Sequence, residues 1–273
     1  MKHIISVIIC GILLILVLPN ISYSKDEDRH EFKKYFDEYS VVGTFVLYDS
    51  KNNKFIRYNP ERATKGFIPA STFKIANSLI GLETGEIPDE NYVFKWNGEK
   101  RSFDFWEKDL VLRDAFQVSC VPCYQELARQ IGEKRMKKWV KKLKYGNRDI
   151  SGGIDKFWLT GDLRISANEQ IKFLRRLYEN DLPLKDRSMN IVKKIMLRKE
   201  TQEYKIYGKT GWQVDDLKNA ESSHSIGWFI GFLERGENVF FFATNVETDN
   251  TQKNFAASRV AITENILKEL NLL

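Results

Sequence analysis

From Ala70 to Leu82 the sequence reads as a helix with apolar residues on every side. Phe73, Ile75, Ala76, Leu79, Ile80 and Leu82 go nearly all the way round it. A helix with no polar face must run through the middle of the molecule, with other elements packed around it. A chain of 273 residues, 42% hydrophobic and 13% aromatic, can supply those layers. This is ordinary globular composition. There is no solenoid-length repeat, and enough apolar surface to exclude intrinsic disorder. Pro69 precedes the helix, and Gly85 is placed to end it in a left-handed conformation.

The rest of the chain arranges itself around that helix. Arg29 to Tyr39 is charged and amphipathic and reads as a helix. Thr44 to Asp49 and Phe55 to Tyr58 read as a hairpin turning at Asp49-Ser50-Lys51-Asn52-Asn53. The middle of the chain, to about Lys199, is mostly helical. Its best helices are Cys123 to Ile131, Glu133 to Leu143 and Asn168 to Tyr178. Tyr204 to Lys209, Ser225 to Leu233 and Val239 to Val246 are strand-like, and Phe255 to Leu270 reads as a closing helix. The expected fold is therefore α/β (α+β). An antiparallel sheet is flanked by the N- and C-terminal helices, with a helical region inserted between its strands. A cleft is expected between the two halves.

Residues 1–24 are a different kind of segment. Lys2 gives a positive start, Ile4 to Leu18 is almost unbroken apolar sequence, and Pro19 and Asn20 break it. Ser22 and Ser24 provide small residues before Lys25. This pattern predicts a secretory signal peptide, leaving 25–273 as the mature domain. The run is short for a membrane span, which needs about 20 residues. The expectation is a secreted, periplasmic protein without stable membrane association after cleavage.

The chain holds 43 Lys and Arg against 37 Asp and Glu, only a mild excess. The run from Lys137-Lys138 to Lys141-Lys142 has the spacing of a solvated helix face. No stretch interleaves basic and aromatic residues as a nucleic-acid groove would, so no nucleic-acid partner is expected. Cys120 and Cys123 alone cannot close a four-ligand zinc site. Neither they nor the three histidines are spaced for a metal, and none is expected.

Chemistry enters at Ser71-Thr72-Phe73-Lys74. Residues i and i+3 at the start of a helix share a face, so the lysine amine can reach the serine hydroxyl. Serine is a weak nucleophile and needs a base. A lysine serves only if burial suppresses its charge. By itself the pattern is equally that of a serine N-cap. Further motifs follow: Ser119-Cys120-Val121 at a loop–helix junction, Tyr145-Gly146-Asn147 after a helix, and Lys209-Thr210-Gly211 ending a strand.

Together and in this order these motifs resemble the penicillin-recognising serine enzymes. Within them the chain is most similar to the class D β-lactamases, the oxacillinase family. The resemblance covers nearly the whole of 25–273. It is carried by Phe67 to Lys74, Gln117 to Pro122, Tyr145-Gly146-Asn147, Ser151 to Leu159 and Lys209-Thr210-Gly211-Trp212.

The resemblance implies a serine β-lactamase that hydrolyses penicillins of the oxacillin type through an acyl-enzyme and confers β-lactam resistance. Ser71 would be the nucleophile. Lys74, carboxylated by CO2 or bicarbonate, would be the general base, and Trp158 would hold the carbamate. No other cofactor is implied. Val121 would wall the lysine from water, and Ser119 would relay a proton to the β-lactam nitrogen. Lys209, Thr210, Gly211, Trp212 and Arg259 would form the substrate-binding side, Arg259 following a slightly longer loop than the family pattern. The backbone N–H groups of Ser71 and Trp212 would form the oxyanion hole. The partners are small-molecule β-lactams, and a homodimer is allowed.

The alternative is a penicillin sensor or transpeptidase-like protein that is acylated but not turned over. A thiol–disulfide oxidoreductase built on Cys120-Val121-Pro122-Cys123 would need the motif after a first strand in a short domain, whereas here it follows helical sequence. Ser119 and Val121 must both face the cleft, so Cys120 should turn away from it. The two cysteines are expected to be reduced, because a bridge across so short a loop would bend the backbone that aims Ser119.

Overall fold

A computed structural model describes residues 26–216, 219 and 223–273. The signal peptide expected at 1–24 lies outside the described residues. Among the described residues no helix is long and apolar enough to cross a membrane.

The strands are β1 (Glu27–Asp28), β2 (Val42–Asp49), β3 (Lys54–Tyr58), β4 (Val93–Phe94), β5 (Leu110–Val111), β6 (Leu197–Glu200), β7 (Tyr204–Val214), β8 (Ser225–Arg235) and β9 (Asn238–Thr248). The helices are α1 (Lys33–Asp37), α2 (Lys74–Thr84), α3 (Leu112–Gln117), α4 (Val121–Ile131), α5 (Glu133–Leu143), α6 (Ala167–Tyr178), α7 (Asp186–Met196) and α8 (Phe255–Glu269). Seven strands form one sheet in the order β1-β3-β2-β9-β8-β7-β6. Its pairs are antiparallel except at the edge, where the short β1 runs parallel to β3.

Side chains alternate across a strand, and this sheet buries both faces. Phe45 and Leu47 of β2, with Phe240 and Phe242 of β9, pack toward α1 and α8. Val46 and Tyr48, with Phe241 and Ala243, pack toward the inserted helices. The central β8 is buried from Ser225 to Leu233, as a strand covered on both faces must be.

Helix α2 lies inside the helical half, every residue from Lys74 to Leu82 buried. Gly85 ends it at φ 79°, the left-handed stop. The turn leading into it, Ala70–Phe73, is a 3₁₀ helix. The side of β8 holds that turn: Trp228 Nε1 donates to Ile68 O at 2.9 Å.

Two expectations are corrected. Lys209-Thr210-Gly211 does not end a strand, because β7 pairs with β8 without interruption from Tyr204↔Arg235 to Val214↔Ser225. The glycine serves close approach instead. A Cβ at Gly211 would stand 2.8 Å from Pro69 O and 3.3 Å from Thr72 N, so β7 lies directly on the turn that carries Ser71.

The second correction concerns the cysteines. Cys120 and Cys123 form a disulfide, with Cα atoms 5.5 Å apart. The bend that seemed prohibitive is taken up at Ser119, which is left-handed at φ 57°. Cys120 is the N-cap of α4 and Cys123 lies in its first turn, within bridging distance. Both are buried, and Cys120 does turn away from the cleft.

Candidate active site

The cleft between the sheet and the helical half is a cavity of about 310 Å³. Ser71, Ser119, Val121, Thr210, Trp212 and Arg259 all reach it. Lys74, Trp158 and Lys209 lie behind its wall, each no more than 1% exposed.

Side chains at i and i+3 of a 3₁₀ turn eclipse one another. That geometry brings Lys74 Nζ to 2.7 Å from Ser71 Oγ, to which it donates. Ala70, just before the serine, is left-handed at φ 47°. For an alanine this costs on the order of 1–3 kcal/mol, and it persists only because surrounding structure holds it. Thr72 Oγ1 donates to Pro69 O at 2.8 Å, and Gln170 Nε2 donates to Thr72 Oγ1 at 3.1 Å.

Burial is the sole cause that lowers Lys74, from 10.5 to about 7. A substantial share of the amine is therefore neutral at pH 7, as a proton acceptor for Ser71 requires. The Tyr124 ring lies 5.3 Å from Nζ. Trp158 stacks on Phe73, the neighbour of Lys74, at 5.5 Å. The Trp158 indole N–H is buried and has no acceptor among the described residues. An unmet buried donor costs about 1–3 kcal/mol until an acceptor is supplied.

Ser119 Oγ accepts from Lys209 Nζ at 2.9 Å. Lys209 is held well below its usual range, first by burial and then by the charges of Lys74, Arg198 and Arg259. Arg259, on α8, is lowered to about 10 by burial and by Arg198. Its Nε and Nη1 are buried without acceptors among the described residues. Among the described residues no carboxylate lines the cavity. Arg198 has Glu264 as a counter-charge, but Arg259 has none, so this wall favours an anionic group at Arg259.

Val121 sits half-buried at the cleft, which Leu159 also lines. Gly211 contributes its lack of a side chain, and Trp212 its ring at the cavity edge. All ten sequence-identified residues thus gather in or just behind one cleft. Sequence reasoning missed the rim. Phe103 and Phe105 stack at 5.1 Å and are partly exposed, while Trp106 donates to Val118 O at 3.0 Å. The signal was there, as three aromatic residues between the charged Lys100-Arg101 and Glu107-Lys108. Arg198 was missed too, because nothing in its local sequence places it near Lys209.

Residues 43–269 match the family described as Penicillin binding protein transpeptidase domain. The chain is 48% identical over 236 residues to Beta-lactamase OXA-5 of Pseudomonas aeruginosa, covering 86% of each. It superposes on FUS-1 (OXA-85), a class D β-lactamase from Fusobacterium nucleatum subsp. polymorphum, with a TM-score of 0.84 and 40% identity. That match covers 90% of this chain and all of the other. The C-terminal domain of the Bacillus licheniformis BlaR penicillin-receptor is also similar, with a TM-score of 0.85 and 32% identity over 94% of this chain and 99% of that one. With a serine and a buried lysine at the head of the central helix, and relatives of this identity along the domain, the chain belongs to the class D β-lactamases.

Proposed function

We propose that the protein hydrolyses the β-lactam amide of penicillins, including those of the oxacillin type, through an acyl-enzyme on Ser71. The observation that carries this reading is the 2.7 Å contact between Ser71 Oγ and a fully buried Lys74 lowered to about 7. Ser71 attacks the carbonyl as Lys74 takes its proton. The N–H groups of Ser71 and Trp212 receive the oxyanion. Ser119, bonded to Lys209, passes a proton to the departing nitrogen, which becomes the amine of the opened ring. Lys209, Thr210 and Arg259 hold the substrate carboxylate.

Lys74 is proposed to carry a carbamate formed from CO2 or bicarbonate. Only a neutral amine reacts with CO2, and burial supplies one. The unpaired indole N–H of Trp158 is the donor that would hold it. When present, the carbamate supplies a carboxylate base for acylation and for the water that deacylates. Val121 and Leu159 restrict access of bulk water to this side of the cleft.

The enzyme is expected to act in the periplasm after export and to protect the cell from β-lactams. Steady-state hydrolysis of nitrocefin and oxacillin, alongside labelling by a fluorescent penicillin, tests the reading. Repeated turnover by wild type and no labelling of Ser71→Ala are expected. Stoichiometric labelling without turnover would mean a receptor-like protein instead. Wild-type labelling of Ser71→Ala would overturn the serine assignment.

A further inference from the structure

We propose that the Cys120–Cys123 disulfide positions Ser119, so that the oxidised enzyme acylates faster than the reduced one. The inference rests on the proton-relay role given to Ser119 above and adds a covalent element that controls it.

One end of the bridge is anchored. Cys123 lies in the first turn of α4, and the next residue ties that helix to α2. Tyr124 OH lies 2.8 Å from Ser78 Oγ, and Asn77 Nδ2 donates to Tyr124 O at 3.1 Å. Cys123 therefore moves with the helix that carries Lys74. The other end is attached to a strained residue. Ser119 is left-handed at φ 57°, a conformation a serine leaves readily unless held. On the incoming side, Ser119 N donates to Phe116 O at 3.2 Å. On the outgoing side, Cys120 N donates to Ala115 O at 2.9 Å, and the bridge adds a covalent tie to Cys123.

Reduction turns two bonded sulfurs into two non-bonded thiols, which cannot share the same volume. Both side chains are fully packed. With Cys123 held by α4, the adjustment falls on Cys120 and the residue before it, Ser119. The 2.9 Å contact from Lys209 to Ser119 Oγ tolerates little displacement. Ser71, on the 3₁₀ turn leading into α2, and Lys74, at the start of α2, keep their geometry. Acylation, which uses Ser119, should therefore slow, while deacylation, which uses Lys74 and Trp158, should not.

The redox step balances simply. A dithiol passes two electrons and two protons to the disulfide and itself becomes a disulfide; a phosphine gives two electrons and takes the oxygen of a water molecule to become its oxide, the water's two protons completing the thiols. Cys120 Sγ accepts from Cys123 N at 3.3 Å and has Arg101 Nη1 3.9 Å away, so a departing thiolate there is stabilised. In an oxidising compartment the bridge forms by passing two electrons to a disulfide-donating oxidoreductase. The chain would then reach full acylation rate only after export.

The test compares the full chain purified oxidised with the same protein held in phosphine, thiols being counted by alkylation and mass spectrometry. Acylation is read by rapid-quench labelling with fluorescent penicillin, and deacylation by decay of the labelled species. Acylation about tenfold slower in the reduced form is expected, with deacylation within about twofold and recovery on reoxidation. A Cys120→Ala/Cys123→Ala double variant should match the reduced form and ignore phosphine. Equal acylation rates with two free thiols confirmed would overturn the proposal. So would an equal loss in both steps, or both cysteines being alkylated in the exported protein without reductant. Failure of the oxidised form to be labelled at all would instead remove the Ser71 reading, and this proposal with it.

Discussion

Ser119 Oγ and Lys209 Nζ meet at 2.9 Å, the one at the junction before α4 and the other midway along β7. This contact joins the helical half to the sheet across the floor of the cleft. It also gives a buried amine, its charge disfavoured by burial and by Lys74, Arg198 and Arg259, a hydroxyl through which to act.

Ser119→Ala removes the hydroxyl and keeps the backbone. Acylation by penicillins should fall about 100-fold or more, in the range of lost general acid–base assistance. Rapid-quench labelling checks it, and decay of the preformed acyl-enzyme should be nearly unchanged. A loss of equal size in decay would move Ser119 from proton relay to general support of the site.

Lys74 sets the pH dependence. Its folded value is lowered to about 7, so the ammonium form dominates below that pH and can neither accept a proton nor react with CO2. The deacylation rate should fall as pH drops through about 7, and bicarbonate should restore it near neutrality but not in acid. The stability sign follows from the same shift. Below about 7 both folded and unfolded states hold the proton, and the full cost of burying the ammonium is present. Between about 7 and 10.5 the unfolded state binds more protons, so this group's contribution to stability rises with pH. Lys74→Met should therefore raise Tm more at pH 6 than at pH 9.5, by differential scanning calorimetry, while abolishing turnover.

Much of this site is legible in the sequence because its parts are local. Ser71 and Lys74 are three residues apart, and a helix apolar all round announces its own burial. The long-range parts are less visible. Lys209-Thr210-Gly211 looks like a strand end because glycine has low strand propensity, yet eleven residues of β7 pair with β8. Tertiary pairing overrides propensity there, and glycine is present so that Pro69 can come close. The disulfide is hidden in the sequence for a similar reason. The left-handed turn at Ser119 that permits it is a backbone state that serine does not advertise. The rim formed by Phe103 and Phe105 lies outside every motif, and its exposure is visible only once the loop is folded.

Trp158→Phe keeps the stack on Phe73 and deletes the indole N–H that lacks a partner. Ser71 should still be acylated. Deacylation should slow by about tenfold or more, the worth of one buried hydrogen bond to a charged group, and added bicarbonate should recover part of it. Accumulation of acyl-enzyme, followed by intact-protein mass spectrometry, reads this directly. Unchanged decay of the acyl-enzyme would argue that the N–H serves packing alone.

Gly211→Ala tests the approach of β7 to the serine turn. The new Cβ would stand 2.8 Å from Pro69 O and 3.1 Å from Thr72 Cγ2, and the first of these is backbone. The strand or the turn must shift, at a cost of about 1–3 kcal/mol. Tm should fall, and acylation should slow because the Trp212 N–H moves away from Ser71. An acylation rate equal to wild type would show that the turn absorbs the shift without consequence for the oxyanion site.

Arg259 pits stability against binding. It is buried, lowered to about 10, repelled by Arg198, and has two nitrogens without acceptors among the described residues. A buried cation in that state is destabilising until an anion arrives, and an apolar side chain of similar length removes the penalty. Arg259→Met should therefore raise Tm by a few degrees in the absence of substrate. It should also raise KM for penicillins by about tenfold or more, because the substrate carboxylate loses a charge-assisted partner. The two readouts separate the binding role from a structural one, since a packing arginine would lose Tm on substitution. A lower Tm with unchanged KM would place Arg259 in the scaffold and leave carboxylate recognition to Lys209 and Thr210.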